Sequence, residues 1–268
     1  MCEREENLKF LIKLCYEKYK EENILNMKYN VEDRGINDKT IYSMCYSKYL
    51  SVLEKYCGPD CFFISWPSAN IKSFEETKNQ IIEASMREPT IHKIGWYGNI
   101  YSPLRDVMEY KTRPLLKKIG DENPELFDII HISPNRATGG INECSPNYLS
   151  LPDLMRYKYL IDIGGNGWSG RMKWLLFSKR PLLMVDRKYI EYFYNDLKPY
   201  VHYIPVKMDL SNLLEQAEWM RTHEEESQQI AENAYIYAME NFTIDKFVDR
   251  VYYVYKNIEK YQCNINGI

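Results

Sequence analysis

Between residues 157 and 222 the chain alternates short apolar stretches with amphipathic ones. "YLIDI" leads into "RMKWLLFS", "PLLMV" into "KYIEYFYNDL", and "VHYIPV" into "DLSNLLEQAEWM". Parallel strands need a crossover between them, usually a helix, so this alternation predicts βαβ units in a parallel sheet. Sheets of that kind bind ligands beyond the carboxyl ends of their strands. The first strand-to-helix turn stands out there. In "GGNGWSGRMK", Gly164, Gly165, Gly167 and Gly170 precede Arg171 and Lys173, with Asn166, Trp168 and Ser169 between them.

Glycines let a backbone turn sharply and let a ligand come close to it. A helix beginning at Arg171 would aim its positive end at the loop. Arg171 can grip a phosphate through two parallel hydrogen bonds, and Lys173 would act as a point charge. Together these parts suit a diphosphate. A purely structural turn would account for the glycines alone; the clustered cations favour an anion site. The spacing matches neither GxGxxG nor the Walker pattern. A second corner of this type is "GNIYSPLRD", where Gly98 and Asn99 follow a strand and Ser102 and Arg105 open a helix. A third, "VKMDLSNL", offers Lys207, Asp209 and Ser211, the last two able to cap a helix.

The rest of the chain supplies the frame. Helices are predicted over 7–20, over 38–56 with Asp38 as N-cap, and over 73–86 with Ser73 and Glu76 at capping-box spacing. Another begins at Ser102 and stops at Arg113-Pro114. Strands are expected at 61–66, 91–100 and 126–133, a loop over 134–150, a short helix from 151, and closing helices over 224–241 and 243–261.

Composition sets limits. The 268 residues are 45% hydrophobic and carry a net charge of −3, which speaks for a globular fold and against a nucleic-acid surface. Seven cysteines at irregular spacing form no paired zinc motif and read as free thiols. No apolar run reaches membrane-spanning length, and the first residues lack the core of a signal peptide, so a cytoplasmic protein is expected.

The segments "YKYLIDIGGNGWSGRMKWLLFS", "LLMVD" and "YFYNDLKPYVHYIPVKMDLSNL" resemble glycosyltransferase family 90. That family includes the protein O-glucosyltransferases and the fungal capsule-associated xylosyltransferases. Weaker likeness reaches back through "SPLRD" to "FFISWP". The resemblance implies two Rossmann-like halves facing a cleft (GT-B type), with the final helix crossing back to the N-terminal half. The corresponding domains would be 1–88 plus 243–268 on the acceptor side and 89–242 for the nucleotide sugar. It implies an inverting transfer from a UDP-sugar, xylose favoured over glucose, to a hydroxyl of a glycan or protein. Neither metal nor cofactor would take part, and no Asp-x-Asp pair occurs in the chain. Small members encoded by large algal viruses are the source of the xylose preference, and a viral protein would act in the host cytoplasm.

By the same resemblance Arg171 grips the diphosphate, and Ser102 and Arg105 belong to the donor segment. Gly98, Asn99 and the loop residues 165–170 complete the donor site. The family's catalytic aspartate falls on Ser65, in "ISWP", which departs from the pattern because a hydroxyl is a poor base. Asp162, Glu75, Glu76, Asp33, His131 and His92 are the alternatives, with Asp162 at the end of the strand that feeds the glycine loop. Trp168, Trp96 or Tyr97 could stack on uracil or sugar. Two rival readings remain open. One is a nucleotide-sugar binder that has lost the base. The other is a dinucleotide oxidoreductase, for which Asp186 at the end of the next strand would hold ribose.

Overall fold

The computed structural model describes residues 3–101, 107–134, 141–165 and 167–266. The chain divides into two compact units. The first comprises Met1–Trp66, Lys188–Asp196 and Glu240–Ile268; the second comprises Pro67–Arg187 and Leu197–Met239.

In the first unit, α1 (Glu3–Tyr19) buries Leu8, Leu11, Ile12 and Cys15, the helical spacing visible in the sequence. The chain's last helix, Ile244–Asn266, packs on α1. Phe63, Phe193, Phe242 and Phe247 form an aromatic core with ring centroids 4.2–6.4 Å apart.

The helix expected over 38–56 is absent. Tyr42–Ser43 pairs with Tyr29–Asn30, Tyr46–Ser47 pairs with Tyr189–Ile190, and Lys48–Tyr56 is 3-10 helix. Residues 42–47 are all buried, so this stretch has no solvent face of the kind an amphipathic surface helix presents. Asp38 closes a local turn instead, accepting from the Thr40 amide at 2.8 Å. The strand expected at 61–66 is also absent. Cys61–Phe63 is a 3-10 turn whose cap, Asp60, accepts from the Phe62 amide at 2.8 Å. The helix expected at 188–197 gives way to the strand pair just named and a 3-10 turn, Tyr192–Asn195. Among the described residues, the first unit's strands are thus two-residue pairs, and no Rossmann-like sheet forms there.

The second unit is α/β and carries a five-stranded sheet. Its strands are β1 (Ile91–Gly98), β2 (Phe127–His131), β3 (Tyr157–Asp162), β4 (Leu182–Val185) and β5 (Ile204–Val206). All neighbours are parallel and the spatial order is β2-β1-β3-β4-β5. The core runs through Ile94, Phe127, Ile161, Leu183 and Ile204 to helix residues Leu116, Leu213, Ala217 and Met220.

Helix α2 (Phe74–Ser85) opens on Ser73, whose hydroxyl accepts from the Glu76 amide at 3.2 Å. It packs on the 3-10 turn Pro152–Arg156, which is why it belongs with the sheet although a boundary at residue 88 was expected. Residues 188–196 likewise leave the second unit because Tyr189–Ile190 pairs with Tyr46–Ser47. Helix α3 (Val107–Glu122) runs straight through Pro114, where the sequence predicts a stop. Gly120 lets it lie close on β2, since a Cβ there would stand 2.6 Å from Ile129. Burial of Leu116 against the sheet outweighs the one backbone bond that proline removes. The helix after the glycine loop, α4 (Met172–Leu175), is a single turn. The second unit's remaining helices are α5 (Leu213–Thr222) and α6 (Glu224–Asn241), the latter ending where the first unit resumes.

Candidate functional site

Strand order locates the site before any side chain does. The chain leaves β1 toward one edge to form β2, then crosses to the other side to form β3. Between β1 and β3 the direction of winding reverses, and the loops leaving their carboxyl ends diverge to open a crevice. The described parts of the two loops are residues 99–101 after β1 and residues 163–165 and 167–171 after β3. Gly98 and the glycine loop therefore meet there, whereas Ser102, Arg105 and Asn166 lie outside the described residues.

Arg171 reaches across this crevice. Its Nη1 donates to the Tyr97 carbonyl at 2.7 Å, and its guanidinium lies 4.3 Å from the Tyr97 ring centroid and 5.8 Å from that of Trp96. Burial pushes the Tyr97 hydroxyl up to about 12, with the Arg171 charge opposing the rise. Arg171 is partly exposed, and among the described residues no carboxylate pairs with it. Because α4 is one turn, the positive charge offered here is chiefly the guanidinium and not a helix end.

Lys173 does not extend that charge outward. It is fully buried, and its Nζ donates to the Gly170 carbonyl at 3.3 Å, so it shapes the loop from beneath. Trp168 and Ser169 are buried as well. At Gly164 an added Cβ would meet nothing closer than 3.5 Å, and at Gly165 nothing closer than 3.4 Å. Protein crowding therefore does not require glycine at either place. Gly98 is different: its Cβ would stand 2.8 Å from the Trp96 ring.

Asp162 is closed to an acceptor. It is 1% exposed; Oδ2 lies 2.7 Å from the Arg187 guanidinium, and Oδ1 accepts from Ser169 Oγ at 2.7 Å. Arg187 in turn donates to the Val185 carbonyl at 3.0 Å. These three residues join the ends of β3 and β4 and tether the loop. Asp162 is placed to hold backbone and not to take a proton.

The other base candidates scatter. Ser65 sits in the first unit, donating its hydroxyl to Asn7 Oδ1 at 3.2 Å. Asp33 pairs with Arg4 at 2.7 Å. Glu75 pairs with Lys78 on the surface of α2. Glu76 is exposed on the same turn. His92 is at the amino end of β1, far along the strand from the crevice. His131 stands at the carboxyl end of β2, beside Gly98 in register, with Nδ1 accepting from the Ile100 amide at 3.3 Å. Asp186 is exposed at the end of β4, and Oδ1 accepts from the Arg187 amide at 2.9 Å. Asp209 caps a turn, and hydrogen bonds from Ser211 hold its carboxyl below the usual carboxylate range.

One residue at the crevice has no local signal in the sequence. Arg113, on α3, donates from Nε to the Gly164 carbonyl at 2.8 Å and from Nη1 to the Asn99 carbonyl at 2.9 Å. Its guanidinium also lies 5.6 Å from the Trp96 ring centroid. Only the folded strand order brings those two carbonyls within its reach.

Residues 27–265 match the description "Glycosyl transferase family 90". The chain belongs to that family. Protein O-glucosyltransferase 1 of Bos taurus is 31% identical over 152 residues, which are 55% of this chain and 36% of that protein. Protein O-glucosyltransferase 3 of Homo sapiens is 33% identical over 164 residues, 59% of this chain and 30% of that one. Protein O-glucosyltransferase 2 of Danio rerio is 42% identical over 84 residues, 31% and 17% respectively. The matched stretches thus cover well under half of each relative. A crystal structure of Alr3699/HepE from Anabaena with UDP-glucose overlaps 81% of this chain and 52% of that chain at 10% identity, with a TM-score of 0.38, too distant a likeness to speak for a site.

For this family 90 chain, no group of three His, Cys, Asp or Glu side chains suited to a metal gathers among the described residues. Nor is any described helix long and apolar enough to cross a membrane.

Proposed function

We propose that this family 90 member is a glycosyltransferase that takes its sugar from a UDP-sugar and passes it to a hydroxyl of a glycan or protein. The observation that carries the reading is Arg171: a cation at the winding reversal of a parallel sheet, fixed by a backbone carbonyl and, among the described residues, not neutralised by a carboxylate. Gly164 and Gly165 support it, because space left where the fold does not demand glycine suits a phosphate approaching the backbone.

In the mechanism we favour, the acceptor oxygen attacks the anomeric carbon from the face opposite UDP. The bond from that carbon to the β-phosphate oxygen breaks, configuration inverts, and negative charge grows on the leaving diphosphate. A guanidinium already in place stabilises that charge without reorganising. Arg171 does this in a metal-independent reaction, with no resident cofactor. Glucose is the donor favoured by the names of the relatives; xylose is the alternative to be measured beside it.

A second reading has one specific observation behind it. Ser65, where the resemblance puts the base, donates its hydroxyl to Asn7 and offers no basic group. A donor-binding protein that transfers nothing would look the same. Release of UDP from UDP-glucose and UDP-xylose, with and without EDTA and with sugar and peptide acceptors, separates the two. Turnover that survives EDTA supports the transferase; donor binding without any turnover supports the binder.

A further inference from the structure

We propose that Arg113 is a positioning residue for donor binding: it ties the two loops of the crevice into one diphosphate cradle. The inference rests on the donor-site reading above. At a winding reversal such as that between β1 and β3, the two loops diverge to opposite faces of the sheet. Arg113 approaches from a third element, α3, and bonds one carbonyl from each, Asn99 and Gly164. A guanidinium is planar and rigid, so two donors on one plane fix both carbonyl directions together.

That anchoring also sets the amides. In a trans peptide the N–H points opposite to the C=O. Holding the Gly164 carbonyl on Arg113 turns the Gly165 N–H away from the guanidinium. The Ile100 N–H, across the peptide from the Asn99 carbonyl, is already taken by His131. The Gly165 amide, turned away from Arg113, is thus set for the anion on the scaffold that also carries Arg171. Trp96 completes the scaffold, with both guanidiniums within 6 Å of its ring centroid, Arg113 at 5.6 Å and Arg171 at 5.8 Å.

The test uses the full chain, UDP as probe, and two variants. In Arg113→Ala the loops lose their common anchor. In Arg113→Lys the charge stays, but a single ammonium does not reproduce the fixed two-carbonyl fork. Calorimetric titration of UDP and steady-state UDP release are measured for both, with thermal melting as a folding control. We expect both variants to bind UDP weakly and to lose about a hundredfold in kcat/KM, chiefly through KM, as misplacement by about 1 Å does elsewhere. Lysine fails to rescue although its charge is kept, a pattern that simple electrostatic steering would not give. Wild-type chain that binds UDP beside an Arg113→Lys variant that melts normally and binds it equally well overturns the inference while leaving the donor site intact. Wild-type chain that does not bind UDP overturns both.

Discussion

Two arginines end up at the same edge of the sheet with different partners. Arg187, at the end of β4, is 3% exposed and faces Asp162, so its charge is cancelled inside the protein. Arg171, one strand over, is partly exposed, rests on the Tyr97 carbonyl, and has no carboxylate partner among the described residues. A buried pair is costly to break because the survivor is left charged in a poor solvent. A cation held by a neutral carbonyl keeps its charge, which is what the proposed diphosphate site requires of Arg171. The lesson is that position at the carboxyl edge does not assign a role; what neutralises the charge does.

The largest effect should come from splitting the buried pair. Asp162→Ala takes the 2.7 Å carboxylate away from the buried Arg187 guanidinium, and we expect a loss of about 3–5 kcal/mol, read as a fall in denaturation midpoint. Replacing both residues with apolar ones of similar size should recover much of that. A single variant as stable as wild type would break the comparison on this side. Arg171→Ala should do the reverse. It should lower kcat/KM by about 10²–10³-fold, the range seen when one donor to developing charge is removed, with little change in melting temperature. If it melts far below wild type, Arg171 is structural like Arg187.

Smaller changes sharpen the contrast. Ser169→Ala removes a hydroxyl bonded to the buried carboxylate and should cost about 1.5–3 kcal/mol, measured by denaturant titration. The glycines divide in the same way as the arginines. Gly98→Ala drives a methyl into Trp96 and should cost about 1–3 kcal/mol of stability. Gly164→Ala meets no close neighbour, so it should leave stability alone and raise KM for the donor. Equal melting temperatures for the two alanine variants would remove the distinction between packing glycines and ligand glycines.

Much of this was legible in the chain, for reasons specific to each part. The alternation after residue 157 is written in local periodicity, and its parallel strands form as read. The position of the glycine loop and Arg171 at the carboxyl edge follows from it, because a parallel sheet directs its loops to one edge. The helix expected over 38–56 gives way at Tyr42–Ser47 because the order there comes from residues far away in sequence, Tyr29–Asn30 and Tyr189–Ile190. Local spacing carries no trace of those partners. Nothing in "YLIDIGG" announces Arg187, so the sequence alone leaves Asp162 among the candidate bases. Yet β3 and β4 are neighbours in register at Asp162 and Met184, so two charged strand ends side by side were a usable hint of an ion pair. Arg113 was hidden by Pro114, which the sequence presents as a helix stop and the packing of Leu116 and Gly120 overrides.

We propose above all that Arg171 and the glycine loop hold the diphosphate of the donor. A crystal structure of the chain soaked with UDP tests it most directly. Phosphate oxygens are expected within hydrogen-bond distance of the Arg171 guanidinium, lying over Gly164 and Gly165. Uridine diphosphate bound in order elsewhere, with its phosphates well away from that guanidinium, would contradict it.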